Sequence, residues 1–325
     1  MLSISLVTMP MVKSRPTVIA HRGAPGYLPE HTLPAKALAY AMGADFLEQD
    51  VVATRDDELV VLHDIYLDRV SDVAERFPQR ARADGRYYVR DFDLAELRHL
   101  KVSERRQVDG SAVYARRFPP NTGNFRIHTF AEELGFLEAL NNSTGGTVGC
   151  YPEIKRPAWH REQGVDIAPL FLQTLQDFAY IDKEHAVFVQ CFDADELVRI
   201  RHELGCRLPL VQLIGENDWG DGPTDFDRLR TRAGLKQLAE TVNAIGPSLM
   251  HLYYLTDATP KASSLCSDAH DVGLLVHPYT FRKDELPPGF DSFTALIDFA
   301  LDSLQVDGLF TDFADVVRSA VDNKA

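Results

Sequence analysis

Short apolar runs alternate with longer amphipathic stretches along almost the whole chain. The runs have strand length and the stretches have helical periodicity, which is the pattern of a parallel α/β fold. Strands are expected at 17–20, 45–54, 58–64, 148–155, 186–192, 208–214, 274–279 and 308–313, with another around 245–255 broken by Gly246 and Pro247. Helices are expected at 32–42, 129–140, 167–178, 194–204, 235–244, 263–272 and 293–304. Gly43 reads as the stop of the first helix and Asp193 as the N-cap of the one at 194–204. About eight strands with helices between them favour a closed (β/α)8 TIM barrel over an open sheet. No G-x-G-x-x-G or phosphate-loop pattern occurs, which argues against a dinucleotide or nucleoside triphosphate.

The rhythm breaks once. Residues 66–127 are rich in arginine, aspartate and turn formers, and read as an insertion after the second strand region. The chain has 325 residues, more than the roughly 250 of a typical barrel, so the excursion accounts for the surplus. The expected organisation is one barrel domain over 17–325, the insertion at about 66–127, and an N-terminal extension at 1–16. Arg69, Arg76, Arg80, Arg82, Arg86 and Arg90 in the insertion read as a solvated surface with local ion pairs.

Lysine plus arginine numbers 34 and aspartate plus glutamate 48, a net charge of −14. A surface this acidic argues against nucleic acid or an anionic membrane as the main partner, but not against a small anion in one locally cationic pocket. No apolar run approaches the roughly 20 residues of a membrane span. The apolar stretch Leu2 to Val12 lacks a basic start and a small-residue cleavage site, so a cytoplasmic location is expected unless the true start lies elsewhere. Cys150, Cys191, Cys206 and Cys266 are scattered without C-x-x-C spacing and read as neither zinc nor redox sites.

In such a barrel the chemistry sits at the C-terminal ends of the strands. The strand ends here carry His21-Arg22, Glu48 with Asp50, His63-Asp64, Glu153 with Lys155, Gln190-Cys191-Phe192, His277-Pro278-Tyr279 and Thr311-Asp312. An i, i+2 spacing points Glu48 and Asp50 to one face, and likewise Glu153 and Lys155. Taken singly, these acids would be solvated strand ends or local ion pairs. Three of them converging in a half-buried mouth must hold protons or a cation, and an all-oxygen set suits calcium or magnesium better than zinc. Two strand-end histidines beside such a site, His21 and His63, fit a general acid and base. Arg22 and Lys155 would supply positive charge for a phosphate. His99, His160, His185, His202 and His270 read as surface residues. His31 reads as helping to open a helix, and His277 as part of a rigid strand exit.

Taken in order, several segments carry a resemblance. They are His21-Arg22-Gly23-Ala24, Tyr27-Leu28-Pro29-Glu30-His31-Thr32, Leu47-Glu48-Gln49-Asp50, Val61-Leu62-His63-Asp64, Tyr151-Pro152-Glu153-Ile154-Lys155, Gln190-Cys191-Phe192-Asp193, Val276-His277-Pro278-Tyr279-Thr280 and Gly308-Leu309-Phe310-Thr311-Asp312-Phe313. The set resembles the glycerophosphodiester phosphodiesterase family from Val18 to Phe313. The Glu30-His31-Thr32 triplet, the long excursion after His63 and the FRIHTFAEE run at 125–133 are most similar to its bacterial periplasmic branch. The resemblance implies a TIM barrel with an insertion, a divalent metal (calcium, with magnesium as the alternative), and Glu48, Asp50 and Glu153 as its ligands. It implies His21 and His63 as the acid/base pair, Arg22 and Lys155 on the phosphate, and Phe192 and Tyr279 as walls for the glycerol. The implied reaction is hydrolysis of a glycerophosphodiester to sn-glycerol 3-phosphate and an alcohol, by water or through a cyclic phosphate. A small molecule is then the partner, a homodimer is left open, and the branch implies a periplasmic location if the start is misassigned. Two other readings of the same residues are a glycosidase using Glu48 and Glu153, and a non-catalytic binding protein.

Overall fold

The computed structural model describes residues 15–182, 184–219 and 222–324, so the Leu2 to Val12 stretch lies outside the described residues. In chain order the strands are β1 (Thr17–Ala20), β2 (Phe46–Ala53), β3 (Leu59–Val61), β4 (Gly149–Ile154), β5 (Val189–Cys191), β6 (Leu210–Ile214), β7 (Ala244–Pro247), β8 (Tyr253–Thr256), β9 (Thr259–Ala262), β10 (Leu275–Val276) and β11 (Gly308–Thr311). Eight of them run parallel in the order β10-β7-β6-β5-β4-β2-β1-β11. The β10–β11 seam is closed by the Asp307 N–H donating to the Val276 carbonyl at 3.1 Å and by a parallel bridge between Phe281 and Thr311. β3 folds back antiparallel on β2.

A helix follows each barrel strand. These are α1 (Leu33–Ala41), α2 (Phe130–Thr144), α3 (Ile167–Asp177), α4 (Ala194–His202), α5 (Arg232–Leu238), α6 (Leu265–Asp271), α7 (Phe293–Asp298) and α8 (Ala314–Asp322). The expected (β/α)8 barrel is the observed one. Local boundaries differ for physical reasons. α5 starts earlier than expected because the Thr231 hydroxyl accepts the Gly234 N–H, and it stops well before Ala244, which already opens β7. α2 runs on to Thr144, where Gly145 at φ 72° ends it. The stretch expected as one strand near 245–255 is two structures, since β7 ends at Pro247 while β8 and β9 form a separate antiparallel hairpin. Asp193 caps α4 as expected, accepting the Glu196 N–H at 3.2 Å.

Alternation along β2 and β4 decides what fills the barrel. The interior ring cluster contains Phe46, Tyr151, Phe188 and Phe310, with Tyr151 and Phe188 stacked at 5.0 Å. Glu48, Asp50 and Glu153 follow on the same inward faces, nearer the mouth. His277 belongs to this interior rather than to a strand exit, because it is buried and its Nδ1 lies 2.8 Å from the Tyr151 hydroxyl. His160 is likewise not a surface residue. It is fully buried, and its Nε2 accepts the Ala53 N–H at 3.1 Å, satisfying a backbone donor at the end of β2.

Residues 66–127 carry a hydrophobic cluster of their own, including Leu67, Val70, Val89, Phe92, Leu97 and Leu100, which rests on Val52 of β2 and Val60 of β3. Arg76, Arg80, Arg82 and Arg86 pair locally with Asp72, Glu96, Asp91 and Asp68. Arg90 departs from the solvated reading, its side chain being only 10% exposed. The four cysteines are free and buried.

Gly23 shows how tightly the first strand end is joined to α1. It sits at φ +92°, and a Cβ there would meet the Ala35 backbone carbon at 2.9 Å. Both the left-handed backbone and the close approach exclude a side chain. Gly23→Ala is therefore expected to lower the unfolding free energy by about 1–3 kcal/mol in urea titrations.

Candidate active site

A cavity of about 600 Å³ opens at the C-terminal ends of the strands. His21, Arg22, Glu48, Asp50, His63, Glu153, Lys155, Phe192 and Tyr279 all line it, so the structure brings together every residue expected at the site. Nothing in the local sequence joins β1, β2, β4, β5 and the β10 exit. The closed barrel does.

Its floor is acidic. Asp50 stands opposite Glu153 in the β2–β4 register, with Glu48 two residues before it. The three are 1%, 5% and 2% exposed respectively. Burial, together with the neighbouring charge of Asp50, pushes the Glu48 carboxyl up to about 8. Burial also raises Glu153 well above the usual carboxylate range. Burial opposes charge on Asp50 too, but Lys155, His63 and His31 hold it well below its ordinary value. The Lys155 Nζ lies 2.8 Å from Glu153 Oε1 and 3.5 Å from Asp50 Oδ1. The Arg22 backbone N–H donates to Glu48 Oε2 at 2.5 Å.

Such an acid cluster fits a hard divalent cation, which would relieve the repulsion that protons otherwise relieve. Among the described residues, ligand atoms of His31, Glu48 and Asp50 lie within 4.8 Å of one another. That set differs from the expected one, since Glu153 leans on Lys155 while His31 joins. His31 does not cap the helix; Thr32 does, accepting the Ala35 N–H at 3.3 Å. The His31 Nε2 instead lies 2.7 Å from Asp50 Oδ2.

The two histidines are held alike. His21 Nδ1 lies 2.6 Å from Asp312 Oδ1, and His63 Nδ1 lies 2.6 Å from Asp64 Oδ1. Each pairing occupies Nδ1 and leaves Nε2 as the ring's other proton-transfer atom. Burial and the Arg22 charge lower His21 to about 3. Burial, Arg22 and Lys155 lower His63. Burial opposes charge on Asp312, but Arg282, His21 and Arg117 keep it ionised. Arg22 Nη1 donates to Glu30 at 3.1 Å, while its buried Nε makes no hydrogen bond. Its nearest acidic neighbour is Asp50 Oδ2 at 3.6 Å, too long for a hydrogen bond, so this N–H can still take an acceptor from an anionic ligand. The Phe192 and Tyr279 rings meet edge to face at 6.0 Å, and the Lys155 Nζ lies 5.6 Å from the Phe192 centroid. An apolar wall of Trp219, Leu249, Met250, Leu286 and Pro287 completes the cavity. Trp219, Leu249 and Met250 lie in single 3-10 turns and Leu286 and Pro287 in a loop, segments too short for periodicity to carry a signal.

Beneath the acids runs a buried network. Lys36 of α1 is fully buried, donates to the Glu48 backbone carbonyl, and pairs with Glu133 of α2 at 2.8 Å. Glu133 also accepts from Gln49 at 2.9 Å and lies 2.6 Å from His128 Nε2. Burial opposes charge on Glu133, yet Lys36 and His128 hold it low. The FRIHTFAEE run is thereby explained, since it places His128 and Glu133 under Glu48.

A profile of the glycerophosphoryl diester phosphodiesterase family matches residues 21–316. The chain is 41% identical to a glycerophosphodiester phosphodiesterase of Haemophilus influenzae, covering 94% of this chain and 89% of the relative. It is 34% identical to one from Treponema pallidum, covering 92% and 90%. A crystal structure of a glycerophosphoryl diester phosphodiesterase homologue from Silicibacter pomeroyi superposes with a TM-score of 0.72 at 22% identity, covering 96% of this chain and 94% of that one. The chain belongs to the glycerophosphoryl diester phosphodiesterase family. It is accordingly a hydrolase of phosphodiesters, and the glycosidase and binding-protein readings are set aside. The family is generally metal-dependent, in keeping with the acid cluster. Among the described residues no helix is long and apolar enough to cross a membrane.

Removing Lys36 would strand Glu133 in the core. Lys36→Met is expected to lower stability by about 3–5 kcal/mol in chemical denaturation, and adding Glu133→Gln to restore part of that loss.

Proposed function

We propose that the chain hydrolyses glycerophosphodiesters such as glycerophosphocholine and glycerophosphoethanolamine to sn-glycerol 3-phosphate and the free alcohol, in the breakdown of phospholipid-derived diesters. The observation that carries this reading is a pair of aspartate-bound histidines lining one cavity above a buried acid cluster. Glu48, Asp50 and Glu153 would hold a divalent cation, calcium first and magnesium second, with His31 steadying Asp50. When bound, that cation supplies Lewis-acid stabilisation of the phosphate charge.

Arg22 and Lys155 bind and orient the phosphate. Phe192 and Tyr279 wall the glycerol. His21 is the base. It is the more buried of the two, 12% exposed against 30%, and its lowered pKa keeps it neutral at neutral pH. Its Nδ1–H donates to Asp312, which fixes the tautomer with a free electron pair on Nε2. Nε2 takes the proton from the attacking oxygen, of water or of the substrate's own glycerol hydroxyl, as that oxygen bonds to phosphorus. The resulting imidazolium is stabilised by Asp312. His63 is the acid, and its Nε2–H protonates the alcohol oxygen as the phosphorus–oxygen bond breaks. Where the glycerol hydroxyl attacks, this leaves a cyclic glycerol phosphate; water then bonds to phosphorus and gives its proton to His63, while His21 protonates the ring oxygen that departs, yielding sn-glycerol 3-phosphate. The phosphate's own charge favours the proton on His63 once substrate is bound.

His21→Ala and His63→Ala are each expected to lower turnover of glycerophosphocholine by about 10²–10⁴-fold while thermal melting shows a folded protein. Hydrolysis at the wild-type rate by either variant would refute the assignment. In the same assay a chelator is expected to abolish activity and calcium to restore it, and indifference to chelator would rule out a catalytic metal.

A further inference from the structure

Most arginines of the 66–127 excursion serve the excursion itself, but Arg105 and Arg117 do not. Arg105 Nη1 donates to Asp64 Oδ2 at 2.6 Å, the oxygen opposite the one that holds His63. Its Nη2 and Nε grip both oxygens of Glu30 at 2.6 and 3.0 Å, and Glu30 in turn accepts from Arg22. Arg117 Nη2 lies 2.8 Å from Asp312 Oδ2, the oxygen opposite the one that holds His21. Arg117 also forks onto Asp284 at 2.8 and 3.0 Å, and its guanidinium stacks 3.6 Å from the Tyr114 ring centroid. Their side chains are only 13% and 4% exposed. Their anchors lie outside the excursion, Glu30, Asp284 and Asp312 following barrel strands and Asp64 following β3, whereas Arg76, Arg80, Arg82 and Arg86 find theirs inside it.

We propose that the excursion is part of the catalytic apparatus: Arg105 and Arg117 are positioning residues, each locking the aspartate that orients one of the two histidines. The inference rests on the reading of His21 and His63 as the acid/base pair. An aspartate bonded through one oxygen to an imidazole can rotate about its carboxyl axis. A guanidinium on the other oxygen fixes that rotation, and with it the direction of Nε2. A planar fork spanning two carboxylates does this better than an ammonium, because it sets angle as well as distance. Arg282 shares the same Asp312 oxygen at 2.8 Å, but it comes from the β10 exit, so Arg117 is the contact that ties His21 to the excursion. Arg105 does a second task through Glu30, holding the Arg22 guanidinium in place.

The test is a double-mutant cycle on glycerophosphocholine hydrolysis by the full chain. Arg117→Met is expected to lower kcat about 100-fold with little change in KM, the loss that follows from a misaimed catalytic group. Arg117→Lys is expected to recover part of it. The pair Arg117→Met/Asp312→Asn is expected to be no slower than Asp312→Asn alone, because both changes break one linkage. Arg105→Met with Asp64→Asn should behave the same way, with an added rise in KM through Arg22. Multiplicative losses, a wild-type kcat in Arg117→Met, or no difference between the lysine and methionine variants would overturn the proposal. If Arg117→Met does not fold, Asp284→Asn removes its other anchor and enters the same cycle with Asp312→Asn, with the same expected non-additivity and the same refutation. If His21→Ala remains active, the acid/base reading itself has failed. If His21→Ala is inactive while Arg117→Met is as fast as wild type, only the positioning role has failed.

Discussion

The burial of Glu48, Asp50 and Glu153 at one end of the barrel governs nearly everything around them. Three carboxylates removed from water repel one another and lose hydration, which costs several kcal/mol per ion unless opposite charge is close. Lys155 reaches them from β4's own exit, Arg22 from the end of β1, and Lys36 approaches from below through the Glu48 carbonyl. Each of those cations needs its own carboxylate or aromatic neighbour. Charge therefore spreads outward in alternating layers, acid then base then acid, until Glu30 is reached through Arg22 and Glu133 through Lys36.

An apolar layer lies beneath the acidic floor. Phe46, Tyr151, Phe188 and Phe310 exclude water from the barrel interior, so the field of the acids is directed upward into the cavity. Within that layer the Tyr151 hydroxyl and His277 Nδ1 satisfy each other at 2.8 Å. An acidic chain can thus hold an anionic phosphodiester. The cavity sets Arg22 and Lys155 beside the buried acids, a local arrangement distinct from the net charge of −14 that the whole chain carries.

The barrel was legible in the sequence because its signal is periodic and repeated. The first ring of the site was legible because the i, i+2 acids and the His-Arg and His-Asp pairs sit at strand ends, where a barrel concentrates chemistry. Partners from distant segments were not. Asp312 could be quoted as a strand end, but nothing local says that it binds His21. Lys36 looks like a polar residue on a helix, yet it is fully buried because Glu133 and Glu48 need it there. His160 shows the same limit, because a histidine in a polar stretch carries no mark of the backbone N–H it satisfies. The apolar wall at Trp219 and Met250 lies in 3-10 turns too short to show a period, and its place at the cavity is visible only in three dimensions.

The His21–Asp312 contact joins positions 291 apart, at the ends of the first barrel strand, β1, and the last, β11, which pair side by side. Contacts of such long range form after local ones, since the loop entropy must be overcome first. During synthesis the excursion, the acid floor and His63 with Asp64 all emerge well before β11. A chain arrested at that stage can own most of the cavity and still lack the carboxylate that directs His21. Under the acid/base reading proposed above, closure of the barrel and the orientation of His21 by Asp312 are then one event.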